Sequence, residues 1–298
     1  MGTDRPRPSR VQLGLAFACI YVLWGSTYLA IRVAVETLPP FLMAGTRFLL
    51  AGAFLYLLGV RQVSPRPTAR QWRNAIVAGI PLFVMGNGGV SWAEQTFPSG
   101  LAALVVATLP AWLLVFDWMI GGRRGPGPVE VTGIGLGLAG VAVLAAPGAG
   151  GSPLGVAVLV GASVAWAAGS LFSRYADTPA SPARTAGMQM LSSGAVMVGL
   201  GLAVGEADRL TPAAVSVESA GSFAYLVAVA VVALPAYTWL LTVSSPALVG
   251  TYAFVNPVVA VVLGWAVAGE SLGPRTGLAV VLIVGGVALL TWPRRARR

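Results

Sequence analysis

Apolar residues in this chain run in blocks of about the length of a bilayer crossing, divided by short polar stretches rich in Arg, Pro and Gly. A helix needs about 20 mostly apolar residues to span the hydrocarbon core. Ten blocks meet that length, near residues 12–33, 41–59, 74–95, 99–120, 129–146, 154–173, 184–204, 219–241, 247–267 and 275–292. No gap between them holds a soluble domain. The pattern predicts an all-α membrane protein of ten transmembrane helices. Arg5, Arg7 and Arg10 precede the first block, and Ala16-Phe17-Ala18 has the small-residue spacing of a signal-peptide cleavage site. The apolar run continues to Val33, too far for such a signal, so it reads as an uncleaved first helix.

The two halves of the pattern repeat. Trp24 to Arg32 aligns with Trp166 to Arg174 at an offset of 142, which also pairs Pro40 with Pro182 and Gly52 with Gly194. Further along the offset is 147, pairing Trp92 with Trp239, Pro110 with Pro257, Trp118 with Trp265 and Gly122 with Gly269. A five-residue insertion reconciles the two. Five helices per copy is odd, so the second copy enters the membrane from the other side, as in the inverted repeats of secondary transporters. The halves fall at 12–146 and 154–292.

Composition narrows the chemistry. The chain has 298 residues, 56% of them hydrophobic and 10% charged, against about 25% charged in a soluble domain. Mean hydropathy is +0.80. With no His, Ser-His-Asp and His-metal chemistry are excluded. Cys19 stands alone. No phosphate-binding loop occurs, and no cofactor is called for. All 19 basic residues are Arg. With the N-terminus inside, 15 of them (Arg5, Arg7, Arg10, Arg61, Arg66, Arg70, Arg73, Arg123, Arg124, Arg174, Arg184, Arg294, Arg295, Arg297 and Arg298) fall on the cytoplasmic side. Cytoplasmic loops collect Arg in this way. Both termini are therefore expected in the cytoplasm, and the +9 charge needs no nucleic acid to explain it.

The run Trp24-Gly25-Ser26-Thr27-Tyr28, with Pro39-Pro40 and Arg47-Phe48 after it, resembles the opening of an EamA domain. Pro257-Val258-Val259, leading to Gly269-Glu270 and a Gly-rich last helix, resembles its close. One departure is visible, since the first half has Gly122-Arg123 where the second has Gly269-Glu270. The resemblance spans nearly the whole chain. It implies the drug/metabolite transporter superfamily, ten helices in two inverted halves in the inner membrane, and export of amino acids or related small metabolites. Alternating access would rock the halves about a midplane site. Proton antiport would require Glu94 in the path; otherwise the solute would move down its own gradient.

Candidate site residues are those unusual at depth. Pro110 and Pro257 hold equivalent positions near the centres of the fourth and ninth spans, where each removes a helical hydrogen bond and kinks the helix. Gly86-Asn87-Gly88-Gly89 marks a place where the third span can unwind. Asn87 and Asn256 put amides at mid-depth, facing either a cavity or a neighbouring helix. Trp24, Thr27, Tyr28, Trp92, Trp166 and Tyr237 complete the set; Trp24 and Trp166 are deep enough for cavity walls, whereas Trp92 and Trp239 also suit the membrane interface. Arg47 lies about two turns into the second span. Such an intramembrane charge either calls for a partner, with Glu94 matching its depth and Glu36 as another candidate, or snorkels to the outer surface. Asp117 and Glu130 are expected to pair with Arg123 or Arg124 at helix ends.

Small residues Ala157, Gly161, Ala165 and Gly169 form one stripe, and Gly133 and Gly137 another. Such stripes seat either a helix of the same chain or a second copy in a homodimer. Two rivals to a carrier are a homo-oligomeric channel, for which no charged ring or filter is evident, and a membrane enzyme, for which the acids are too scattered.

Overall fold

A computed structural model describes residues 9–61, 66–121, 127–146, 152–179, 181–244 and 252–291. Among these every regular element is a helix. The chain order is α1 (Arg10–Ala34), α2 (Pro40–Arg61), α3 (Ala69–Gly79), a π-helical segment (Ile80–Asn87), α4 (Gly88–Ala93), α5 (Ser99–Val106), α6 (Leu109–Gly121), α7 (Pro128–Ala145), α8 (Pro153–Tyr175) and α9 (Pro182–Ala203). After these come a short α10 (Glu206–Arg209), α11 (Val217–Val243), α12 (Tyr252–Ala268) and α13 (Pro274–Thr291). Six stretches are long and apolar enough to cross a membrane: Arg10–Ala34, Pro40–Gly59, Ala69–Ala93, Ser99–Phe116, Pro153–Tyr175 and Pro182–Ala203. Four shorter apolar helices are Pro128–Leu144, Val217–Ala233, Val255–Ala268 and Pro274–Leu289.

Local chemistry sets the helix starts. Ser9 with Gln12 and Thr68 with Gln71 form reciprocal capping boxes, each satisfying two otherwise orphaned N–H groups. The second box starts the third span at Ala69, one turn before the apolar run that predicts it at 74. Pro opens α2, α7, α8, α9 and α13, where its missing N–H costs no hydrogen bond.

Two spans are irregular. The third widens into π-helix from Ile80, with Pro81 at the start and the Gly88 N–H reaching back to the Phe83 carbonyl. A Pro displaces the carbonyl four residues earlier, and a π turn absorbs that displacement. The fourth span divides at Ala107–Thr108. The Thr108 N–H bonds the Val105 carbonyl at 3.2 Å and a new helix starts at Leu109. Pro110 thus sits in the first turn of α6. Pro257, its repeat counterpart, lies inside the uninterrupted α12.

Packing is closest between α2 and α9. A Cβ added to Gly52 would lie 2.9 Å from the Leu191 nitrogen, and one on Gly187 2.5 Å from that of Tyr56. Gly45 faces Gly194 just as closely. Backbone therefore meets backbone along this seam, which no larger residue permits. The Gly133/Gly137 stripe is likewise filled from within, since a Cβ on Gly286 of α13 would meet the Gly133 carbonyl and the Gly137 nitrogen. Of the other stripe, Ala165 and Gly169 are buried while Ala157 and Gly161 are exposed. Other principal contacts join α1 to α11 and α12, and α8 to the third span and α6.

Candidate functional site

Polar ties gather eight helix ends at one end of the bundle. Arg32, near the end of α1, donates to the carbonyls of Glu94 and Gln95 at 2.7 Å each. Ser219 at the start of α11 donates to the Val33 carbonyl at 2.8 Å. Glu206, after α9, accepts from the Phe41 and Leu42 N–H groups at the start of α2. Glu270, after α12 and just before α13, accepts from the N–H groups of Ser99 and Gly100 at the start of α5. At the opposite end Asp177 pairs with Arg70 at 2.8 Å and accepts from Gln71, while Asn74 donates to its carbonyl.

Inward from the first end lies a buried polar group. Arg47 is seven residues into α2 and 4% exposed; Glu94 closes α4 and is fully buried. Arg47 Nη2 donates to Asn87 Oδ1 at 2.9 Å, and its guanidinium carbon lies 4.3 Å from the centre of the Phe48 ring. Arg47 Nε and both carboxylate oxygens of Glu94 have no hydrogen-bond partner. Ser91 Oγ, one turn before Glu94 on the same helical face, is buried without one as well. Burying charge without full pairing is costly. Four such atoms, one donor and three acceptors or hydroxyls, gather here among the described residues. The expected Arg47–Glu94 pairing is not formed; Asn87 takes the guanidinium instead. Glu36 is exposed on its turn.

Rings continue from this group into α8. Phe48 packs on Phe83 with centroids 4.9 Å apart, and Phe83 on Trp166 at 6.0 Å. Trp166 lies against the π segment, where a Cβ on Gly86 would come 2.8 Å from the indole. The Gly-rich motif therefore supplies both the room for Trp166 and the irregular backbone that carries Asn87.

A second cluster lies toward the opposite end. Trp24 packs on Tyr237 at 5.0 Å and on Tyr252 at 5.2 Å, and the two tyrosines are 6.0 Å apart. Ile20, Leu240 and Trp239 pack around them. With its amide oriented to satisfy both ends, Asn256 donates to the carbonyls of Tyr21 and Tyr252 at 3.2 Å each, so it ties α12 to α1. Thr27 donates to the Trp24 carbonyl of its own helix at 2.6 Å. Tyr28 packs against the main core. Trp92 is 36% exposed near the end of α4.

The structure thus brings Arg47, Asn87 and Trp166 into one connected group, and Trp24, Tyr237 and Asn256 into another. Tyr252, Ser91, Phe83 and Arg32 join these groups without having been singled out from the sequence. Tyr252 could have been found from its place one helical turn before Asn256, on the same face. Arg123 and Arg124, expected to pair with Asp117 and Glu130, lie outside the described residues. So do Arg5, Arg7, Arg294, Arg295, Arg297, Arg298 and Gly122, and residues 247–251 of the ninth block.

A helical protein with six stretches long and apolar enough to cross a membrane, and with polar and aromatic groups buried between them, has the build of a membrane transporter. The chain belongs to the EamA-like transporter family, which it matches over residues 12–146 and 153–292. It is 38% identical over 280 residues to the Escherichia coli K12 protein named uncharacterized inner membrane transporter YedA, covering 93% of this chain and 90% of that one. A probable amino-acid metabolite efflux pump of the same strain is 28% identical over 175 residues, covering 54% of this chain and 53% of the pump. A solved crystal structure with 22% identity shares the fold, with a TM-score of 0.62 over 94% of this chain and 96% of the other.

Proposed function

We propose that this transporter exports amino acids or related small metabolites across the inner membrane by alternating access. On this reading ten helices form two inverted five-helix halves, 12–146 and 154–292, with both termini in the cytoplasm. The α2–α9 seam supports the inverted arrangement. Gly45, Gly52 and Gly59 sit 142 residues before Gly187, Gly194 and Gly201. Gly45 meets Gly194 while Gly52 meets Gly187, and Gly59 meets Arg184 while Gly201 meets Leu42. Each contact becomes the other on exchanging the halves, as a pseudo-twofold requires. Exchange likewise turns the α1–α11 contact into that of α8 with the third span.

The observation that carries the substrate class is the buried Arg47–Asn87–Glu94 group with its unpartnered atoms. A zwitterion offers a carboxylate to the guanidinium and an ammonium to the carboxylate, so both charges gain partners at once. The rings of Phe48, Phe83 and Trp166 beside it suit an apolar side chain. The name of the efflux pump among the relatives agrees with this class.

Purified protein in proteoliposomes tests the reading by counterflow of labelled amino acids. Saturable exchange with zwitterionic, apolar-side-chain solutes is expected. Flux that rises linearly with concentration would make the protein a channel, and no flux across an amino-acid panel would overturn the substrate class.

A further inference from the structure

Two Gly-Glu pairs perform the same task at the same end of the bundle. Gly269 ends α12 with φ of +65°, and the Glu270 N–H returns to the Gly264 carbonyl at 3.0 Å. That left-handed turn, which glycine adopts without strain, aims the Glu270 carboxylate at the start of α5. There Oε1 accepts from the Ser99 N–H and hydroxyl at 2.7 Å each, and Oε2 from the Gly100 N–H at 3.0 Å. Gly205, with φ of +75°, follows α9 in the same way. Glu206 after it is 2% exposed, and its two oxygens accept from the Phe41 N–H at 3.2 Å and the Leu42 N–H at 2.8 Å.

In both cases a carboxylate from the second half holds the exposed N–H groups that begin a helix of the first half. A negative charge is favoured there by the unpaired N–H donors and the helix dipole. Bonds from N–H to carboxylate are about twice as strong as neutral ones. Ser219 adds a third tie between the halves at this end, onto the Val33 carbonyl. At the opposite end the Arg70–Asp177 pair joining the halves has side chains 66% and 39% exposed, and exposed pairs hold little.

We infer that Glu206 and Glu270 are a two-point lock that keeps the α1–α2 end of the transporter shut and sets the balance between its two access states. The inference rests on the alternating-access reading. Rocking the halves apart at this end must break five hydrogen bonds to carboxylate oxygens, whereas the ties described at Asp177 at the other end are a solvated ion pair and the bonds from Gln71 and Asn74. A cavity of about 480 Å³ borders the Glu270 clasp, lined by Leu101, Val261, Leu272 and Arg275 among others. It gives the carboxylate space to swing out as α5 and α12 part.

The test compares cysteine labelling at the two ends in nanodiscs, in a Cys19→Ser background. Ala102→Cys reports on α5 beneath the lock, and Ala75→Cys on α3 at the other end; the native residues are both buried. Glu206→Gln and Glu270→Gln should each raise maleimide labelling of the Ala102→Cys reporter by about threefold or more, and together by about tenfold. The Ala75→Cys reporter should stay within about twofold. Unchanged labelling in the double variant overturns the lock. So does an equal rise at both ends, which is general loosening. Should the double variant not accumulate, Ser99→Ala decides by the same criterion, since it removes one tie and leaves the charge. Wild-type counterflow reports separately on transport, so the lock and the transport reading can fail independently.

Discussion

The two interior clusters occupy related places in the two halves and have opposite chemistry. Around Trp166 the neighbours include Phe83, Phe48 and, beyond them, Arg47 and Asn87. Around Trp24, its repeat counterpart, they are Tyr237 and Tyr252, with Asn256 tied to backbone. The repeat offsets place Gln189 where Arg47 stands, Leu234 for Asn87 and Leu241 for Glu94. Conversely, Val90 and Val105 stand where Tyr237 and Tyr252 are. The sequence repeat therefore does not extend to the other residues of the two clusters. On the proposed alternating-access reading, a repeated frame would supply the motion, while two clusters of different chemistry would receive the two ends of an amphipathic solute differently.

Removing charge should have the largest effect. Arg47→Ala removes one of the two cations near the buried Glu94, Arg32 being the other, and Glu94→Ala removes the carboxylate near Arg47. Leaving a buried charge without a compensating neighbour costs about 3–5 kcal/mol, so counterflow should fall at least about a hundredfold in either variant that still reaches the membrane. The charge-swapped double variant should retain more activity than either. Full activity in both single variants would end the comparison, because the charged cluster would then be inert.

Asn87→Leu comes next. It takes the hydrogen-bond acceptor that the Arg47 guanidinium finds among the described residues, and bonds to a charged group are worth about 1.5–3 kcal/mol. Transport should fall about tenfold or more, with a lower melting temperature in detergent. Equal behaviour of Asn87→Leu and Asn256→Leu would show that the two amides do the same job.

Trp24→Ala should lower transport by about tenfold, since it removes two ring contacts of about 0.5–1.5 kcal/mol each beyond their buried area. Trp24→Phe should keep most of the activity. If Phe behaves like Ala, the indole nitrogen rather than the ring surface is what matters there. The smallest effect belongs to Asn256→Leu. It loses one interhelical bond, to the Tyr21 carbonyl, worth about 1 kcal/mol, seen as a modest drop in melting temperature, with counterflow within about threefold of wild type.

Much of the frame was legible because membrane spans are written in composition. Helix starts moved by a turn where a polar signal, such as the Thr68–Gln71 box, lies outside the apolar run. The Gly86–Gly89 cluster pointed to irregular backbone, and the π segment lies there; its trigger, Pro81, was hidden among many prolines. Pro110 and Pro257 read alike yet end differently, because Thr108 can cap a break with its hydroxyl on the Val105 carbonyl, and Val255 stands at the equivalent position before Pro257. Arg47 and Glu94 were visible as charges at depth. Their partners were not, since which face a helix turns inward depends on packing between distant segments. Gly269-Glu270 stands out in the sequence only as a motif, and the task of Glu206 and Glu270, holding the backbone of another helix, leaves no pattern in the residues they hold.

The glycine seam also sets a schedule for biogenesis. Gly52 and its mate Gly187 are separated by 135 positions in the chain, and synthesis runs at about 5–20 residues per second. For roughly 7–27 seconds, therefore, α2 sits in the bilayer with a bare strip of backbone before α9 exists to cover it. Lipid must shield that strip in the interval, and a membrane protease or insertase has that long to act on it. Slowing translation between the halves lengthens this window without altering a single contact of the finished protein.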